Sequence, residues 1–349
     1  MKTALITTTI NVPRVLSLYR AYDPDVMFFV AGDLKTPDET KEFCDSLGNC
    51  VYLHPDEDKH WKLAKFITHN TDSRRNYALL QAMQWKPDLI VSIDDDVIPI
   101  GEDIFGAFKK LFYGTGVSVD YLKRESPVEF LRPWDGLMLG AEKQWVNHGS
   151  FAVPLHLARG LPYDEQYVLH PGFVVGATIG AAQGIILGTP DSDAATAIAQ
   201  RPFITSVTDI LREGFVTGLA SNSVFNSQFT IFRGELAPAF AQFYFAQQRN
   251  TDIFSSLLMR RIMRQYNYYT YYGPPFSYHA RAPRPLLKDL QAERYGVDNI
   301  VAYADYLNRA PLRKNISVVE QCRILAQGWN GPELEAAMAW LDDCEKVLA

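Results

Sequence analysis

The sequence has few cysteines, no basic run and no internal repeat, and each lack removes a class of protein. Cys44, Cys50, Cys322 and Cys344 are the only cysteines in 349 residues, and no CxxC or Cys/His metal spacing occurs among them. That excludes a disulfide scaffold and a cysteine-ligated zinc site, and fits free thiols in a reducing compartment. Lys and Arg number 34 against 40 Asp and Glu, a formal net charge of -6, with the basic residues scattered. Neither a nucleic-acid footprint nor a polybasic membrane anchor is present. The N-terminus turns polar at residues 7–9, before a signal-peptide core forms. An uncharged stretch at 168–190 carries Gly172, Gly176, Gly180, Gly184 and Gly188 and has no flanking basic cluster. It reads as a buried, glycine-rich loop-and-strand segment rather than a membrane helix. The expected location is the cytoplasm, with no stable membrane insertion.

What is present is core-forming sequence. Hydrophobic residues make up 47% of the chain, enough for one large α/β domain with a C-terminal extension. Apolar β-branched runs predict strands at 4–9, 26–30, 51–53 and 89–93. Between them, helices are predicted at 15–22, 37–47 and 73–85. This alternation implies βαβ units and a mostly parallel sheet. Ligands in such sheets bind beyond the carboxyl ends of the strands. Residues 7–11, Asp33 and Asp94 to Asp96 all fall at those ends. From 110 to about 235 the pattern dissolves into loops and short strands. Helix is predicted again over 234–266, an aromatic strand over 266–272, and mostly helix from 283 onward. The boundary is drawn between a domain of residues 1–285 and a helical extension of residues 286–349.

The run Ile93-Asp94-Asp95-Asp96 ends a fully apolar strand. Extended backbone points Asp94 and Asp96 to one side, where two like charges repel unless a cation lies between them. Mn²⁺ or Mg²⁺ takes oxygen ligands, one or two carboxylates plus substrate phosphates. The plainer reading is a helix N-cap or a solvated acidic turn. His279, after Pro274-Pro275-Phe276-Ser277-Tyr278, stands alone in sequence, and a lone histidine is more often structural.

The acidic run is the DxD signature of a GT-A glycosyltransferase fold, and other segments narrow the likeness. Thr8-Thr9-Ile10-Asn11 and Arg74-Arg75-Asn76-Tyr77 resemble segments of STELLO-type glycosyltransferase-like domains. Ala158-Arg159-Gly160-Leu161-Pro162-Tyr163 and the stretch ending Pro190-Asp191-Ser192-Asp193 resemble the reversibly glycosylated polypeptides, which are UDP-arabinopyranose mutases. Asn250-Thr251-Asp252-Ile253-Phe254 and Tyr278-His279 match further segments, in the same order along the chain. The cysteine and glycine pattern that the mutases carry before the acidic strand is absent, and Phe254 stands where they have tryptophan.

The resemblance implies a GT-A fold, a Rossmann-like sheet flanked by helices, and a UDP-sugar substrate. It implies Mn²⁺ or Mg²⁺ on Asp94, Asp96 and His279. Thr8, Asn11 and Asp33 would line the uridine and ribose pocket, with Asp95 facing the ribose or orienting its neighbours. Arg75 would neutralise phosphate or sugar-proximal charge, and Asp191 and Asp193 would meet sugar hydroxyls. Arg159 matches the arginine that the family glycosylates reversibly, and electrostatic holding of the diphosphate suits a guanidinium better than nucleophilic attack. Asp252 takes the place of the acceptor-side carboxylate, either as general base for a hydroxyl or as a holder of sugar hydroxyls. Three functions stay open: a pyranose/furanose mutase, a glycosyltransferase with a separate acceptor, and a non-catalytic partner subunit. Homo-oligomerisation is also left open.

Overall fold

A computed structural model of the chain describes residues 1–113, 134–141, 144–163, 170–243, 249–281, 284–313 and 315–349. The N-terminal half alternates as its hydrophobic pattern requires: β1 (Thr3–Thr8), α1 (Leu16–Tyr22), β2 (Met27–Ala31), α2 (Glu39–Ser46), β3 (Cys50–Leu53), α3 (Arg75–Trp85) and β4 (Leu89–Ile93). The four strands run parallel in the order β3-β2-β1-β4. Side-chain alternation splits each of them between two cores. Ala4 and Ile6 enter one and Leu5 the other. A strand covered on both faces reads as one apolar run, which is why β1 and β4 were legible.

The second half adds β5 (Val97–Ile100), α4 (Ile104–Tyr113), β6 (Trp134–Leu139), β7 (Pro171–Gly188), α5 (Ala194–Gln200), β8 (Phe215–Thr217), β9 (Phe229–Arg233), α6 (Thr251–Met263) and β10 (Tyr268–His279). One mixed sheet results, in the order β3-β2-β1-β4-β9-β7-β6-β8-β10-β5, with β7 and β10 also paired in parallel. This is the helix-flanked α/β architecture expected from the sequence.

Three elements differ from expectation. The glycine-rich stretch forms, within its described part, a single strand of 18 residues. Its glycines admit neighbours: a Cβ on Gly184 would lie 2.3 Å from the Phe229 ring. The helix predicted over 234–266 is two pieces. Pro238 sits in a 3₁₀ segment, Gly234–Phe240, and regular helix begins only at Thr251. Residues 244–248 of that span lie outside the described residues. The aromatic strand runs on to His279, so its tyrosines serve packing: Tyr271 and Tyr272 are buried, and Tyr266 stacks on Tyr268.

The C-terminal helices α7 (Leu286–Arg309), α8 (Val318–Trp329) and α9 (Leu334–Leu348) dock on the sheet's helical layer. Trp340 is 1% exposed and donates from Nε1 to the Pro238 carbonyl at 2.8 Å. Asp343 accepts from the backbone N–H groups of Lys62 and Leu63 at 3.1 and 2.8 Å. α3 is therefore covered nearly all round, by the sheet on one side and α9 on the other. Among the described residues no helix is long and apolar enough to cross a membrane.

Candidate active site

The carboxyl ends of β1, β4, β7 and β10 and the entry to β9 share one edge of the sheet, and a cleft of about 410 Å³ opens there. Its wall includes Thr8, Thr9, Asp94, Asp95, Asp96, Ser227 and Gln228 from the strand ends. Arg75 and Asp252 enter from the first turns of α3 and α6. Seven aspartates line the cleft against four arginines: Arg75, Arg159, Arg249 and Arg281.

The acidic run divides its tasks. Asp94 binds the buried Arg75, Oδ1 to Nη2 at 2.6 Å, and Arg75 also donates to the carbonyls of Ser227 and Ile93 at 3.1 and 3.2 Å. Asp95 accepts a hydrogen bond from the Thr9 hydroxyl. Burial pushes the Asp95 carboxyl up, helped by its two acidic neighbours. Asp96 turns the other way and meets His279, Oδ2 to Nε2 at 3.1 Å. Burial alone would push Asp96 up, but His279, with Arg281 behind it, brings the carboxyl below its ordinary range.

The tautomer of His279 follows from its other nitrogen. Nδ1 lies 2.9 Å from the Thr189 carbonyl oxygen, which can only accept, so Nδ1 carries a proton. Gln228 Nε2 then faces a donor at 2.8 Å while its Oε1 has no partner, and exchanging the two ends of the amide resolves both. Nε2 then faces the Asp96 carboxylate oxygen, and an Nε2 proton or a bound cation can sit between the two.

A carboxylate oxygen and an oriented imidazole nitrogen suit Mn²⁺ or Mg²⁺, and the carbonyl on Nδ1 is the usual outer support of a ligating histidine. Asp94, the third expected ligand, is held by Arg75. Among the described residues no group of three His, Cys, Asp or Glu side chains is arranged to hold a metal ion. The donor set present thus fits a cation whose shell a ligand's oxygens complete.

Behind the triplet lies a buried ion cluster. Arg159 gives Nε and Nη2 to Asp191 Oδ2 at 2.9 and 2.6 Å, and Nη1 and Nη2 to the two oxygens of Asp252, both at 2.8 Å. A further bond from Nη1 reaches the Arg249 carbonyl. All five guanidinium donors are engaged. Burial would lower the Arg159 pKa, but the two carboxylates raise it well above its ordinary value. Asp191 is held well below the usual carboxylate range: Arg159, Arg281 and Arg249 together outweigh its burial. Asp252 also accepts from the Ser227 backbone N–H at 3.2 Å. Arg159 thus lines the cleft with every donor already engaged, an arrangement that favours neither role the resemblance implied for it. Asp191 serves this cluster rather than offering free oxygens to a sugar.

Three expected ligands stand outside the cleft wall. Asp33 is 3% exposed and ties down its own loop, accepting from the N–H groups of Leu34 and Asn70 at 2.7 and 2.5 Å. Asp193 caps α5 through Thr196 N at 3.0 Å and accepts from the Tyr163 hydroxyl at 2.9 Å. Neither lines the cleft, and nor does Asn11, whose N–H donates to Thr9 Oγ1 at 2.9 Å and whose side chain hydrogen-bonds Asp95.

Other residues in the cleft were not foreseen. Arg281 bonds Asp191 Oδ1 at 3.1 Å, and its side chain is 24% exposed. Its signal was a basic residue two positions past His279. Asp289, in the first turn of α7, also lines the cleft, and Glu293 one turn on binds Arg249 at 2.6 Å. The helical extension thus forms part of the wall. Asp72, on the 3₁₀ turn Asp72–Arg74 ahead of α3, completes it.

Comparisons with known proteins add little. The chain is similar to the crystal structure of S. aureus TarS at 13% identity, covering 95% of this chain and 43% of that one, with a TM-score of 0.37. It is similar to S. aureus TarS 1-349 in complex with UDP at 14% identity, over 95% of this chain and 71% of that one, also at 0.37. A third structure, S. aureus TarS 1-349, matches at 12% identity over 100% and 90% of the two chains, with a TM-score of 0.35. Likeness this low assigns neither activity nor ligand. No protein-family model matches the chain, and no curated protein does.

Proposed function

We propose that the cleft binds a UDP-sugar with Mn²⁺ or Mg²⁺ and transfers the glycosyl group to a hydroxyl. The observation that carries this reading is the meeting of Asp96 and His279, 183 residues apart, at 3.1 Å on the rim of the cleft. Charge supports it. Seven aspartates against four arginines repel a bare diphosphate, so an anionic ligand needs a cation to enter with it. Asp96 and His279 would hold that cation, with Asp94 within the same turn. A divalent ion bound there supplies charge neutralisation for a departing diphosphate. This chain's own part is positional. Thr8 and Thr9 line one wall, and Arg281 supplies the partly exposed guanidinium. The cluster of Arg159, Asp191 and Asp252 fixes the floor.

The mutase is the second reading, and it rests on the ordered sequence likeness. In its covalent form it needs a reactive arginine, and Arg159 has no donor or lone pair to give. Incubation with a panel of UDP-sugars and Mn²⁺, with and without hydroxyl acceptors, separates the two. Ring isomers formed without acceptor support the mutase, and acceptor glycosides support transfer. Absence of Mn²⁺-dependent UDP binding in calorimetry overturns both.

A further inference from the structure

The cleft holds one carboxylate that the ion cluster does not use. Six of its seven aspartates have a partner: Asp94 has Arg75, Asp95 has Thr9, Asp96 has His279, and Asp191 and Asp252 have Arg159. Asp289 has Arg249 and Arg284. Asp72 is the exception: its Oδ1 is wholly buried and has no hydrogen-bond partner among the described residues, although the residue lines the cleft.

A general base needs a free lone pair in reach of substrate and a proton affinity matched to the working pH. Asp252, the carboxylate expected in this role, fails the first condition. Both its oxygens lie on Arg159, and Oδ2 also takes the Ser227 N–H. Asp72 lines the cleft, and no described residue bonds its Oδ1. Burial pushes its carboxyl up to about 6, with Asp252 and Asp94 adding to the rise and Arg75 and Arg159 opposing it. Those four are the charged groups that act on it most strongly, from the head of α6, the turn after β4, the head of α3 and the loop that carries Arg159.

We propose that Asp72, rather than Asp252, is the proton acceptor of the transfer reaction. This rests on the reading of the cleft as a nucleotide-sugar site. As the acceptor hydroxyl oxygen bonds to the anomeric carbon, its proton passes to the Asp72 carboxylate. The bond from that carbon to the diphosphate breaks, and UDP leaves with the electron pair. Protonated Asp72 then returns its proton to water. Asp252 becomes a positioning residue: it holds Arg159 and, through Ser227, the loop entering β9.

The experiment uses the full chain, Asp72→Asn and Asp72→Ala, with Mn²⁺-dependent UDP binding measured for each by calorimetry. Turnover is read as UDP release from the UDP-sugar that wild type consumes. The free carboxyl is followed by ¹³C NMR titration of Asp-labelled protein. Expected are unchanged UDP binding and turnover lower by about 10²–10⁴-fold in Asp72→Asn. Formate is expected to restore part of the turnover of Asp72→Ala, as a diffusible carboxylate replacing the missing one. One carboxyl resonance is expected to titrate near 6 in wild type and to vanish in Asp72→Asn. The role of Asp72 is overturned if the variant binds UDP and turns over within about threefold of wild type, or if Asp72 titrates near the ordinary carboxylate value of about 4. If wild type itself binds no UDP with Mn²⁺, the nucleotide-sugar reading falls, and the base assignment falls with it.

Discussion

At the scale of single residues, the cleft shows how environment divides identical side chains. Asp96 and Asp191 are driven down by cations, and Asp72 is driven up by burial. Arg159 holds Asp191 and Asp252 in place. Removing it leaves Asp191 and Asp252 buried without their main partner. Arg159→Ala is expected to lose about 3–5 kcal/mol of stability, measured by urea unfolding. Its tryptic peptide, taken from protein incubated with UDP-sugar, should carry no added glycosyl mass. A glycosylated Arg159 would restore the covalent mutase. The sign of the pH effect at Asp191 follows from its depressed folded pKa. Its contribution is present above the unfolded value of about 3.9 and is lost as pH falls through the lower folded value. Asp191→Asn should therefore flatten the acid limb of a stability profile and lower stability at neutral pH. An unchanged acid limb contradicts the ion cluster.

At the scale of elements, what was legible followed from periodicity. β4 was placed at residues 89–93, where it stands, because five apolar or small residues end abruptly in three acids. The docking of α9 on α3 was invisible, since no local pattern says which buried face meets which. α4 had its signal: Ile104, Phe105, Phe108 and Phe112 fall on one helical face and are all buried. The strand β7 was obscured by glycines, whose presence answers to Phe229 and not to local propensity. In the site, Asp96 and His279 were legible through the ordered likeness. Asp33 and Asp193 misled because a carboxylate at a strand end or after a proline looks the same whether it meets a ligand or its own backbone. Asp72 carried no motif and was found only by its surroundings. The docking of α9 has its own test. Trp340→Ala should cost about 3–5 kcal/mol in urea unfolding, the range for a buried aromatic. A loss under 1 kcal/mol would mean that α9 contributes little to the body.

At the scale of the whole molecule, the excess of acid over base in the cleft makes affinity conditional. UDP with Mn²⁺ is expected to raise Tm by several degrees, while UDP with a chelator should leave it unchanged. An equal rise in both samples removes the cation from the account. A chain ended after residue 285 loses Asp289 and Glu293, and with them two partners of Arg249. Such a truncation is expected to lose UDP binding even where circular dichroism shows the sheet intact.

Because the rim of the cleft draws on residues from Thr8 to Asp289, competence arrives late in synthesis. A ribosome-bound chain that has emitted β1 to β4 can begin to order a parallel half-sheet, yet the second half of the cleft wall is still unmade. The acidic turn waits, exposed and mutually repelling, until its histidine is made. Premature termination before His279 would therefore release a chain whose acidic turn lacks its histidine, a species for quality control.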